Sequence, residues 1–169
     1  MSTVLGEATV AIGLVLLLGA ALHDIAVRTV PNCVPALLVV VGLASRLLAG
    51  DLLLGLGIAA AVFAVVTLLW LRGYMGGADA KLLGAVALVA PPARLPELLL
   101  MISLCGGVLA LFYLAMSYVV TRPAYGQRRS FLGRLAKAER WRLSRRGPLP
   151  YATAIASGSI ISLSPLLAG

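Results

Sequence analysis

Residues 52–71 read LLLGLGIAAAVFAVVTLLWL, a run without one charged side chain. A helix of about 20 apolar residues is long enough to cross the hydrocarbon of a bilayer. Polarity returns abruptly on both sides. Asp51 precedes the run, Arg72 follows it, and Gly73-Tyr74-Met75-Gly76-Gly77-Ala78-Asp79 leads into the next apolar segment. Outward from this stretch, the same alternation yields segments at roughly Val4–Leu22, Val34–Ala49, Ala80–Ala90, Leu95–Val120 and Leu149–Leu167. The Ala80–Ala90 segment is short for a span. It is expected to begin inside the Gly76–Asp79 break and to close at Pro91-Pro92. Irregular glycine-rich backbone at membrane depth needs a cover of protein or water-filled space, which marks that break as cavity-lining. The predicted fold is all-α, a polytopic membrane bundle of about six transmembrane helices forming one domain over residues 1–169.

Composition supports a membrane class. The chain is 61% hydrophobic and 12% charged, with a mean hydropathy of +1.03, whereas soluble domains carry about 25% charge. The net charge of +8 is concentrated: nine of the fourteen basic residues lie between Arg122 and Arg146. Between two apolar segments such a cluster reads as a cytoplasmic loop, at about 121–148, rather than a nucleic-acid surface. Contact with anionic lipid is a natural addition. With six spans, Arg28, Arg72, Lys81 and the nine clustered residues share one side, leaving Arg46 and Arg94 on the other. The positive-inside rule then places the first set in the cytoplasm and both termini of this multi-pass chain outside. The first segment carries Glu7 and no Lys or Arg at its start, so it is expected to be a retained span and not a signal peptide. Cys33 and Cys105 stand alone and His23 is the sole histidine, which points to no disulfide, no metal and no cofactor.

Six acidic residues are few for such a chain. An acid beside hydrocarbon costs about 2.5–3.5 kcal/mol and tends to be kept for function. Asp24 and Asp79 each fall where an apolar segment meets a polar break, and the charge bias puts both on the cytosolic face. Glu7, Asp51 and Glu97 fall on the other face, and Glu139 sits among arginines. Two carboxyls brought together share a proton, so that one acts as acid while the other activates water. Helix termination is an alternative role for both, since aspartate near a helix N-terminus is ordinary capping.

The surroundings of these acids resemble the type IV prepilin peptidase family, particularly the short members that serve Flp/Tad-type pili. Asp24…Arg28-x-Val30-Pro31-Asn32 is similar to the family's first aspartate motif. Gly76-Gly77-Ala78-Asp79-Ala80-Lys81-Leu82 is similar to its Gly-x-Gly-Asp motif. Pro148-Leu149-Pro150-Tyr151-Ala152-x-Ala154-Ile155 resembles a third signature near the end of the chain. The resemblance implies an aspartic endopeptidase that removes the short basic leader of a prepilin or pseudopilin, whose apolar stem stays in the bilayer. It implies a catalytic dyad of Asp24 and Asp79, with Gly76 and Gly77 keeping the backbone open to substrate. Arg28 and Lys81 are cations that could lower an aspartate pKa, orient a substrate carboxyl or anchor the interface. Pro31 and Asn32 complete the first motif, and Pro150 and Tyr151 are expected to hold the last helix near the site.

Two departures stand out. Ala78 occupies the third motif position, where the family has glycine; a left-handed backbone there would strain alanine by about 1 kcal/mol or more. The chain also lacks the paired CxxC insertion of larger prepilin peptidases, so methyl transfer has no support. The rival readings are a non-catalytic assembly component and a small proton-coupled transporter, which would place its polar residues nearer the bilayer midplane.

Overall fold

The computed structural model describes residues 2–119 and 149–167. The described secondary structure is helical: α1 Ser2–Val27, α2 Cys33–Ala49, α3 Leu52–Leu71, α4 Gly77–Val89, α5 Leu95–Val119 and α6 Tyr151–Leu163, with short 3-10 turns at Pro92–Arg94 and Ser164–Leu167. Each predicted apolar segment corresponds to one helix, and the basic stretch at about 121–148 lies outside the described residues. The helices are unequal. Those over Val4–Val27, Leu52–Leu71 and Pro92–Tyr118 are long and apolar enough to cross a membrane, while Cys33–Ala49 and Tyr151–Leu167 are shorter apolar helices. With 13 residues, α4 reaches only about 20 Å.

Glycine and proline set most boundaries. Gly50 closes α2 in the left-handed conformation, φ 74°, with its N–H directed at the carbonyls of Arg46 and Leu47. That geometry suits a residue without a Cβ. At the far end of α4, Ala90 precedes Pro91 and turns extended, ψ 139°, as a residue before proline prefers. α1 departs from the hydropathy reading: it continues past Leu22 to Val27, so Asp24 lies in its last turn. Loss of apolar character does not end a helix while its hydrogen bonds persist, and Arg28 N–H still reaches the Asp24 carbonyl at 2.8 Å. The helix stops where Arg28 turns left-handed, φ 61°, three residues ahead of Pro31.

α4 is the hub of the bundle. It packs along α2 and α3 and meets α6 and α1; α1 lies on α2 and α6, and α5 lies on α6. Every residue from Leu82 to Ala90 is buried, as befits a helix apolar all round. The outer helices turn large apolar side chains outward, with Leu53 85% and Val108 68% exposed, a surface suited to hydrocarbon. Lipid gives helices no hydrophobic drive to associate, so close packing falls to small residues. A Cβ added to Gly158 would lie 2.5 Å from the Ile102 backbone, and one on Gly42 would lie 3.0 Å from the Leu88 carbonyl carbon.

Arg46, counted above among the loop charges, is instead inside α2 and 3% exposed. Its guanidinium donates to Asp51 Oδ2 at 2.9 Å, to Ser45 Oγ at 3.1 Å and to the Val89 carbonyl at 3.4 Å. Gly55 supplies the room, since a Cβ there would meet Arg46 Cδ at 2.5 Å. A buried charge is tolerable when it is paired. Both terminal nitrogens of Arg46 are used, while its Nε and Asp51 Oδ1 have no hydrogen-bond partner among the described residues. The cluster fastens the ends of α2 and α4 to the start of α3. One basic residue fewer then remains in the sparsely charged set of loops.

Replacing Gly158 with Ala must push α5 and α6 apart, and is expected to cost about 1–3 kcal/mol. Gly107→Ala, with nothing within 4 Å of the new methyl, should be neutral. Arg46→Met, which strips Asp51 of its donor, should cost about 1.5–3 kcal/mol. Thermal unfolding of the purified protein in one detergent compares all three.

Candidate active site

Three helix ends meet around Asp24. Its carboxyl is buried, 8% exposed, in the last turn of α1. Oδ2 accepts the backbone N–H of Ala152 at 3.4 Å. Ala152 is the second residue of α6, so this donor is one of the first-turn N–H groups that a helix cannot satisfy internally. The positive end of α6 thus faces a negative side chain. Pro150, without an N–H of its own, is buried immediately before α6, and its carbonyl accepts the Thr153 N–H at 3.0 Å.

Asp79 lies in the first turn of α4. Gly76 precedes that helix in an extended conformation, φ −71° and ψ 142°, and a Cβ there would come 2.8 Å from Asp79 Oδ2. The Asp79 carboxyl therefore folds back across the helix start, over the space a side chain at 76 would fill. Gly77 makes the same kind of room for Trp70, whose Nε1 would be 3.0 Å from an added Cβ. These glycines provide clearance and not left-handed backbone. Among the described residues, positive φ occurs at Arg28, Gly50 and Gly73 alone. Ala78 sits inside the helix, so its methyl carries no backbone strain.

The two carboxyls feel each other. Asp79, ahead of the apolar run of α4 and outside the helices long enough to cross a membrane, has its carboxyl pushed up to about 6 from 3.8, first by burial and second by the charge of Asp24. The Tyr151 phenol is within electrostatic range of Asp79, and its ring rests where a Cβ on Gly106 would be 3.0 Å away. A pair of carboxyls that resists double ionisation is equipped to hold one proton between them.

The remaining predicted residues are placed more widely. Lys81 Nζ donates to Asn32 Oδ1 at 3.0 Å, tying the loop after α1 to α4. Arg28 donates to the Tyr113 hydroxyl at 3.2 Å, with its guanidinium 5.7 Å from the centre of that ring. The Pro31 carbonyl accepts the Val34 N–H at 3.1 Å at the head of α2. His23 Nδ1 lies 2.6 Å from the Thr29 carbonyl and so folds the α1–α2 loop onto its helix. No group of three or more His, Cys, Asp or Glu side chains gathers to hold a metal ion among the described residues. Trp70, Tyr113 and the Ala152 N–H escaped the sequence reading. The aromatics left a usable signal, since Trp and Tyr near the ends of apolar segments mark interfaces. A backbone donor leaves none.

Comparison with known proteins bears on this arrangement. A family model described as the Type IV leader peptidase family matches residues 11–111, a span that includes both aspartates and their flanking motifs. No curated protein and no solved structure matches the chain. The match covers more than half of the sequence, and it agrees with the resemblance carried by the motifs. The chain belongs to the type IV leader peptidase family, and is on that ground a membrane protein of the peptidase class.

Proposed function

We propose that the protein is a multi-pass inner-membrane aspartic endopeptidase that removes the short basic leader from type IV prepilin-like substrates at the cytoplasmic face. One observation carries the reading: Asp24 and Asp79, far apart in sequence, lie within electrostatic reach of each other where α1, α4 and α6 meet. The charge bias of the loops supports the orientation. A leader held in the cytosol by its basic residues then arrives on the side where the acids lie.

The chemistry needs one proton shared between two carboxyls. Asp79, which holds its proton to about pH 6, is suited to be the acid; Asp24, facing the Ala152 N–H, is suited to be the carboxylate. Asp24 takes a proton from water as the oxygen attacks the scissile carbonyl. Asp79 gives its proton to the carbonyl oxygen. Collapse of the tetrahedral diol returns a proton to the leaving nitrogen and yields a free amine and a free acid. No cofactor enters this balance. Gly76 keeps the Asp79 carboxyl clear of steric cover, and Trp70 and Tyr151 flank the approach.

Co-expression with a pilin-like substrate, read as leader removal on a gel, tests the dyad. Asp24→Asn and Asp79→Asn are each expected to lower cleavage at least 100-fold while membrane insertion is retained; cleavage by both single variants at the wild-type rate overturns the proposal. A second measurement concerns pH. A single proton on the pair is lost once Asp79 ionises, so the cleavage rate should fall as pH rises through about 6. The same shift has a stability consequence of fixed sign. A carboxyl whose pKa is raised on folding favours the folded state when protonated, so thermal stability should decline between about pH 4 and 7. Asp79→Asn should flatten that decline.

A further inference from the structure

Lys81 and Asn32 stand apart from the aspartate pair. At 3.6 residues per turn, Lys81 lies about 200° around α4 from Asp79. With Gly84, Ala85 and Leu88 it faces a groove of about 450 Å3 between α2 and α3. Val39, Leu56 and Phe63 wall this groove, and Ala36 and Ala60 leave the space within it. Polar side chains line one end alone, where the exposed Lys81 donates to the exposed Asn32.

We propose that the groove seats one anionic phospholipid from the leaflet on the aspartate side, with its phosphate on Lys81 and Asn32 and an acyl chain along α2 and α3. An ammonium has three donors, and one of them goes to Asn32, so the rest can meet phosphate oxygens. From Lys81 to Leu88 the groove runs about 10 Å along α4, enough to order part of one chain. That chain gains little by exchanging hydrocarbon neighbours for an apolar groove. Selection therefore falls to the head group, where a single cation meets negative charge. The same geometry disfavours the substrate's apolar stem as the occupant, because α4 would stand between a stem lying here and Asp79. The lipid would bridge the two motifs through the residues that face away from the acids.

The test uses the full-length protein, with lipid binding read by native mass spectrometry against dioleoyl phosphatidylglycerol and dioleoyl phosphatidylcholine. Wild type should bind phosphatidylglycerol more tightly. Lys81→Gln should lower that affinity about five-fold, the factor one lysine near an anionic surface carries, and leave phosphatidylcholine unchanged. Lys81→Arg should retain the preference. Ala60→Trp, which fills the groove, should weaken both lipids; unchanged thermal unfolding of each variant checks folding. The basic segment is common to all variants, so differences between them report the groove. Wild-type phosphatidylglycerol affinity in Lys81→Gln or in Ala60→Trp overturns the proposal. So does competition by glycerol 1-phosphate at the same concentration, which would make the site one for free phosphate. Displacement by a peptide with a basic leader and an apolar stem would give the groove to the substrate. None of these readouts involves cleavage, so the lipid site and the peptidase reading fail separately.

Discussion

A helix of thirteen residues falls about 10 Å short of a bilayer's hydrocarbon thickness, and most of the bundle follows from that deficit. α4 is sheathed along its apolar run. Its neighbours supply the sheath: every residue from Leu82 to Ala90 is buried. The turn that leads to its start runs through exposed Gly73, Tyr74 and Gly76, and the Asp79 carboxyl and Trp70 lie against Gly76 and Gly77. The acid is thereby held inside the bundle rather than on a mobile loop.

The ends of the bundle handle charge in opposite ways. Near Gly50, Arg46 is matched by Asp51, a serine and a carbonyl. Opposite charges there cancel and hold three helices in place. At the other end two acids approach each other, and the penalty is seen in the raised pKa of Asp79. A helix N-terminus offsets part of that repulsion through one N–H. Two acids gathered at one end, one of them with a raised pKa, and a matched ion pair at the other form a distribution consistent with the proposed site.

Much of this was legible in the chain, and the misses have specific causes. α2 and α3 lie within a residue of expectation at both ends, and α5 starts where expected, because proline, glycine or a charge punctuates them. α1 ran on beyond Leu22 because hydropathy reports solvation, whereas helix ends are decided by hydrogen bonding and by φ. Arg46 read as a loop charge because its partner lies across the Gly50 turn, and no local pattern distinguishes a paired arginine from a solvated one. The aspartates could be singled out by scarcity, but their convergence depends on α6, whose contribution to Asp24 is a main-chain donor with no side-chain signature. Lys81 and Asn32 were named with the acids because they share the two motifs, and the hydrogen bond that joins them across those motifs has no signal in either motif alone.

Arg28 sits under two demands that no single alternative residue meets. Its backbone is left-handed, φ 61°, a conformation that costs an L-residue about 1–2 kcal/mol and that glycine adopts freely. Its side chain reaches the Tyr113 hydroxyl and ring, which glycine cannot do. Asparagine tolerates the backbone but is too short to span to α5. Lysine covers the distance as a point charge without a planar face to lay on the ring. These two demands alone leave the set of acceptable substitutions nearly empty. Position 28 would be expected to vary little even in a relative that had lost both acids, so retention of this arginine is by itself no marker of an active enzyme.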